Sequence, residues 1–186
     1  MNFDAWFERG MAYEAFLSKY ADDEQRRRWG ALHSQITLTA GQKELLHGFR
    51  RLMKVFVVAG TWCGDCVDQC PIFAHFAAEN DRIQLRFFDR DDCADLAREL
   101  SICGAPRVPS VLFLSEDNFA CGFYGDRTLS KYRQIVAEGF GPACPTGLVP
   151  PTKGLLESVI QDWLDEFERI QLLLLTSGRL RKLHGD

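Results

Sequence analysis

The sequence predicts a mixed α/β fold, a mixed central sheet flanked by helices, with added helices before and after it. Three observations carry this. MKVFVVAG, residues 53–60, is a continuous β-branched and aromatic run, the pattern of a strand buried on both faces. Strand and helix patterns then alternate as β-α-β-α-β-β-α from residue 53 to 138. Apolar residues at helical spacing occupy both flanks of that stretch.

The elements follow in order. Residues 2–50 read as helices: Phe3, Trp6 and Phe7, then Tyr13, Phe16, Leu17 and Tyr20, fall at helical intervals. A further helix is expected over 22–33. Thr39 is an N-cap candidate for a helix that stacks Leu45, Leu46, Phe49 and Leu52. After the first strand, VDQCPIFAHFAAEN is helical, with Cys66, Cys70, Phe73 and Ala77 on one stripe. RIQLRFF is the second strand. DDCADLARELSI is a short helix that Asp91 or Asp92 can cap, and CGAPRVP is a turn. SVLFL and FACGFYG are strands joined by the short polar connection 115–118, a hairpin signal. The long crossover suits parallel pairing of the first two strands, and the hairpin requires an antiparallel pair. TLSKYRQIVAEGF is a helix that Thr128 could cap. The Gly/Pro-rich stretch 141–154 reads as a loop, and an amphipathic helix over about 155–175 presents Leu156, Ile160, Trp163, Leu164, Phe167 and Ile170. That stripe suits docking on the core or a contact in a homodimer. The chain thus divides into an N-terminal helical extension (1–50), a central domain (51–140) and a loop plus C-terminal helix (141–186). The extension packs on the core or serves as a binding surface.

The 186 residues are enough for one domain with a core and an added subdomain. The net charge of −4 supplies no basic excess for a nucleic-acid partner. The run Arg26–Arg28 follows Asp22, Asp23 and Glu24, as on a solvated helical face with local ion pairs. Neither a secretory leader nor a membrane span is evident, so a cytoplasmic setting is expected. There, seven cysteines are a poor fit to a disulfide framework, and the odd count argues the same way.

Local spacing is the better guide to those cysteines. AGTWCGDCVDQCP, residues 59–71, opens a helix directly after a buried strand. Unpaired backbone N–H groups and the helix dipole favour negative charge at such a terminus, so a lowered pKa is expected for Cys63. Cys66, three residues on, lies nearly one turn away, where its sulfur can reach that of Cys63. Gly64 adds little bulk, and Trp62 can cover one side of the pair. Cys63 as nucleophile and Cys66 as resolving thiol would exchange a dithiol for a disulfide through a mixed disulfide.

These residues resemble the thioredoxin superfamily. FVVAGTWCGDCVDQCP followed by RVPSVLFL carries the likeness through Trp62, Cys63, Gly64, Cys66, Pro71 and Pro109, over about residues 50–138. The helical extension and the WCGDC motif resemble a bacterial subgroup of thioredoxin-like proteins. The resemblance implies a thioredoxin-like fold and thiol–disulfide oxidoreductase activity with no cofactor beyond the dithiol. The substrate would be a protein or small-molecule disulfide or dithiol. It also implies that Val108–Pro109 is cis, with Pro106 a rival for the role, and that the Val108 backbone pairs with substrate. Trp62, Gly64, Asp65, Val108 and Pro109 would then form the substrate platform.

Two positions depart from the family pattern. Asp65 stands where thioredoxins have proline; it suits a helix start but would repel a neighbouring thiolate and raise the pKa of Cys63. Val57 stands where the family buries an aspartate that helps the second cysteine lose its proton, so slower resolution by Cys66 is expected. Cys70 reads as a small buried hydrophobe or as a second resolving thiol. Cys93, Cys103, Cys121 and Cys144 read as packing or inert surface, with Cys103 in a turn that the family geometry brings near the site. Two rivals remain. A metal or iron–sulfur clamp could use Cys63, Cys66 and Cys70, but no second CxxC exists and His33, His47, His75 and His184 form no spaced cluster, with His75 expected to be exposed. A redox-inactive binding module is the other, although it would not need both cysteines.

Overall fold

The computed structural model describes residues 3–138 and 152–186. Four helices come first: α1 (Phe3–Arg9), α2 (Tyr13–Tyr20), α3 (Asp23–His33) and α4 (Ala40–His47). Asp22 and Thr39 each cap the next helix through a capping box, with Gln25 and Gln42 as the reciprocal partners. Then follow β1 (Met53–Ala59), α5 (Gly64–Glu79), β2 (Ile83–Asp89), α6 (Ala94–Glu99), β3 (Ser110–Ser115), β4 (Ala120–Gly125) and α7 (Leu129–Ala137). The chain ends with α8 (Lys153–Thr176) and α9 (Gly178–His184). The loop expected at 141–154 lies largely outside the described residues.

The sheet order is β2-β1-β3-β4. β1 runs parallel to β2, with Met53 opposite Ile83 and Ala59 opposite Asp89. β3 is antiparallel to both β1 and β4. The expected pairings therefore hold, and the central position of β1 explains its unbroken apolar run. Both of its faces are covered, because alternate residues point to opposite sides. On one face Phe56 meets Phe3 and Phe7 of α1, and Phe88 meets Trp6. On the other, Phe113 meets Phe167 of α8 and Phe87 meets Phe16 of α2.

The stripe of α8 is spent on this chain's own core: Leu156, Ile160, Trp163, Leu164, Phe167 and Ile170 are all buried. Gln171 fixes the register of that docking. Its Oε1 accepts the Arg50 and Arg51 backbone N–H groups at 3.1 and 2.7 Å, and its Nε2 donates to the Arg51 carbonyl at 3.0 Å. The N-terminal helices are equally committed, since Phe16 and Trp29 are fully buried. Between α1 and α2 the chain forms a one-residue antiparallel bridge from Met11 to Phe87 on the outer edge of β2. A single apolar cluster runs through residues of all three sequence segments.

Some local expectations differ from the structure. Thr128 takes the N-cap position of α7, but its buried hydroxyl makes no capping bond. At α6 the N-cap is Cys93. Neither Asp91 nor Asp92 caps, and their backbone N–H groups are instead collected by the Asp89 carboxylate at 2.9 and 3.0 Å. α9 was not anticipated. No helix among the described residues is long and apolar enough to cross a membrane.

Candidate active site

The β1–α5 turn is held from below by the N-terminal helices. The Trp29 indole N–H donates to the Thr61 carbonyl at 3.0 Å, and the Thr61 hydroxyl donates to the Tyr20 carbonyl at 3.2 Å. Gly60 lets Trp62 fold back, because a Cβ there would sit 2.6 Å from the indole ring. Trp62 stays 39% exposed with the Arg90 guanidinium 4.3 Å over its ring. Cys63 takes the N-cap position of α5 with extended backbone and is 2% exposed. Its thiol faces the Val108 carbonyl at 3.5 Å. Val108–Pro109 is cis, as expected, and Pro106 plays no such part. Gly125, at φ +142°, allows the β4 end to close on this segment, since a Cβ there would lie 2.4 Å from the Pro109 carbonyl oxygen.

Cys66 is fully buried one turn along, with the Gly60 N–H directed at its sulfur at 3.5 Å. It shares hydrogen bonds with the thiols of both Cys63 and Cys70. Trp62, Cys63, Asp65 and Val108 line a cleft of about 450 Å³ with Arg107 and Arg127.

Beneath that cleft lies a buried charge cluster. The Asp65 carboxylate pairs with Arg127 at 2.7 Å and with Lys131 at 3.0 Å, and Lys131 also reaches Asp68 at 2.6 Å. Next to it Asp126 accepts from Arg107 at 3.1 Å and from the Tyr132 hydroxyl. Gln69 joins α5 to both sides. Its Nε2 donates to the Asp65 and Asp126 carbonyls at 3.0 and 2.9 Å, and its Oε1 accepts the Trp163 indole N–H at 3.0 Å.

Comparisons with known proteins bear on the family and the fold. A family model described as Thioredoxin matches residues 10–138. The chain belongs to the thioredoxin superfamily. A protein of unknown function from Pseudomonas aeruginosa has the same fold, with a TM-score of 0.69 at 19% identity over 87% of this chain and 94% of that one. An HIV epitope scaffold has a TM-score of 0.69 at 18% identity over 91% and 97% of the two chains. Comparison with curated proteins gives no match.

In this thioredoxin-like site the electrostatics reverse one expectation. The Cys63 thiol is pushed upward, not downward. Its hydrogen bond with Cys66 comes first, then burial, then the charge of Cys66, with a smaller push from Asp65. Cys66 is raised as well, chiefly by burial. The helix terminus still favours a thiolate, but the interaction between the thiols and the removal of both sulfurs from water outweigh it. Val57 is buried against Val111 with no acid beside it in the strand.

Asp65 is not simply a helix-start residue: its carboxylate faces the buried cations, so it forms the floor of the cleft. Gly64 is buried at the first helical position. Cys70 is fully buried, as expected of a small hydrophobe, yet it touches Cys66. Cys103 is exposed in a left-handed turn at φ +52°. Cys93 and Cys121 are partly buried, and Cys144 lies outside the described residues. His75 is not exposed; its ring binds the His33 carbonyl at 3.0 Å and packs on the His33 ring. Among the described residues no three His, Cys, Asp or Glu side chains converge in a metal-binding geometry. The sequence reading missed Arg107, Asp126, Arg127, Lys131 and Gln69; no local motif marks them, because their partners are distant in the chain.

Proposed function

We propose that this protein is a thiol–disulfide oxidoreductase with Cys63 as nucleophile and Cys66 as resolving thiol. The observation that supports this best is the cysteine pair itself: Cys63 at the N-cap of α5 with its thiol 3.5 Å from the Val108 carbonyl, and Cys66 buried one turn along. In the reductive direction the Cys63 thiolate attacks one sulfur of a substrate disulfide. A Cys63–substrate disulfide forms, and the other substrate sulfur leaves as thiolate. Cys66 loses its proton and attacks the Cys63 sulfur. That step releases the second substrate thiolate and leaves a Cys63–Cys66 disulfide, so two electrons pass to substrate. The Val108 carbonyl and Trp62 would position the incoming chain.

Titration against thiol–disulfide buffers, with free thiols trapped and located by mass spectrometry, tests this. A reversible Cys63–Cys66 disulfide is expected. A potential near about −270 mV would mark a reductase, and one of about −120 to −180 mV an oxidant or isomerase. If no such disulfide forms, or if Cys66 pairs with Cys70, the mechanism is wrong.

A further inference from the structure

The cleft over Cys63 is asymmetric in charge. Of the charged side chains that line it, Asp65, Asp126 and Arg127 are sunk, whereas Arg107 and Arg90 stand higher. The side chains of Asp65 and Asp126 are only 3% and 6% exposed, whereas those of Arg107 and Arg90 are 42% and 31% exposed. Asp126 is held in place by Tyr132 and, through its carbonyl, by Gln69, so Arg107 is anchored at its inner edge. A guanidinium has five N–H donors. Asp126 takes one of those of Arg107, at 3.1 Å. Arg90 is fixed in a similar way, over the Trp62 ring and against Asp91 at 2.8 Å. In a chain of net charge −4, the nucleophile thus opens onto two anchored cations with hydrogen-bonding capacity to spare.

We propose that this cleft selects disulfides bearing a carboxylate near the sulfurs, with Arg107 and Arg90 as the specificity-determining residues. The proposal rests on the redox reading above and adds the chemical class of substrate. A planar guanidinium suits a carboxylate, which can accept two parallel N–H bonds from it. A cationic disulfide would meet two like charges and find the carboxylates of the cleft already paired; of the two arginines Arg107 carries more of the selection, because the exposed Asp91 offsets the charge of Arg90. The anion could belong to a small dicarboxylate disulfide or to an acidic protein segment that contains the bond.

The test compares the reduced protein's exchange rates with three small disulfides: dithiodiglycolate (anionic), hydroxyethyl disulfide (neutral) and cystamine (cationic). The anionic compound should react at least roughly tenfold faster than the cationic one, since charge complementarity acts on encounter rate and register. That ratio should fall towards one in Arg107→Gln and in Arg90→Gln, and should shrink in the wild type as salt is raised. Arg107→Lys, which keeps the charge without the fork, should retain part of it. Because the readout is a ratio, a variant that slows every substrate is corrected for. Equal rates in the wild type both among the small disulfides and between acidic and basic disulfide peptides, or a ratio that persists when both arginines are replaced, would overturn the proposal.

A disulfide-bonded peptide flanked by glutamates, set against the same peptide flanked by lysines, separates the two sources. An arginine-dependent preference seen only with peptides assigns a protein segment, and one seen fully with dithiodiglycolate assigns a small molecule. If none of the three compounds exchanges, the redox reading itself has failed. Calorimetry of the Cys63→Ser, Cys66→Ser protein with dithiodiglycolate then decides the anion site alone. Binding that Arg107→Gln abolishes supports the site, and no binding rejects it.

Discussion

At the level of single residues, the thiol pair and Asp65 carry the sharpest expectations. Cys63 is held upward first by its hydrogen bond with Cys66, so removing that sulfur should release it. In Cys66→Ala the pH midpoint for alkylation of Cys63, followed site by site by mass spectrometry, should fall relative to wild type; a midpoint that stays or rises would contradict this assignment. Asp65 has two effects of different size. Its charge makes a small contribution to raising Cys63, so Asp65→Asn should lower that midpoint slightly. The same change leaves Arg127 and Lys131 buried with one partner fewer, and breaking such a pair costs about 3–5 kcal/mol. Urea denaturation should show that loss, whereas an unchanged stability would mean the cluster holds little. The WCGDC spacing was legible in the sequence because it is local, and the cis Val108–Pro109 bond was implied by the family resemblance. The partner of Asp65 was not, since Arg127 lies 62 residues on. Nor could spacing reveal the burial that raises both thiols, a property that the rest of the chain imposes.

At the level of elements, strands and long helices followed from periodicity, and their ends from local chemistry. Thr39 caps α4 because a Gln three residues later completes the reciprocal bond. Thr128 lies before no such residue, and α9 was hidden by its shortness and by Gly178 at its start. The β4–α7 connection bears a pH expectation. Burial pushes Asp126 up, but hydrogen bonds from Tyr132 and Arg107 more than offset it and hold the carboxyl below its usual range. A carboxyl depressed in the folded state adds stability above its unfolded pKa of about 3.9 and loses it as pH falls through the folded value. Wild type and Asp126→Asn should therefore differ by a constant amount from neutral pH down to about pH 5, and converge below about pH 4. Equilibrium unfolding across that range checks it. Parallel curves throughout would show that Asp126 contributes no titrating stability.

At the level of the whole molecule, the helical extension is where sequence patterning was least informative. Phe16 and Trp29 fall at helical spacing whether they cover a distant surface or the core. Only the folded chain shows Trp29 bonded to Thr61, one residue before Trp62. Residues 3–48 supply buried aromatic surface to β2 and the Trp29 indole that binds the β1–α5 turn, so the central segment is not expected to stand alone. A chain lacking residues 1–48 should fail to show a cooperative unfolding transition by circular dichroism, whereas the full chain should show one. Two separate transitions in the full chain would mean the extension folds as its own unit.

The bridge between Met11 and Phe87 has a consequence for association. An outer strand with free N–H and C=O groups is a template on which another chain can pair. Met11 occupies one position of that edge, opposite Phe87 of β2, with bonds of 2.9 and 2.7 Å, and among the described residues no strand pairs with the other edge, β4. A sheet templated on one side only can join a second copy at that side and then stop. Add a template on the other side, by peeling the segment around Met11 away, and the same sheet could grow in both directions. The bridge at Met11 thus guards one position of the β2 edge as well as forming part of the fold.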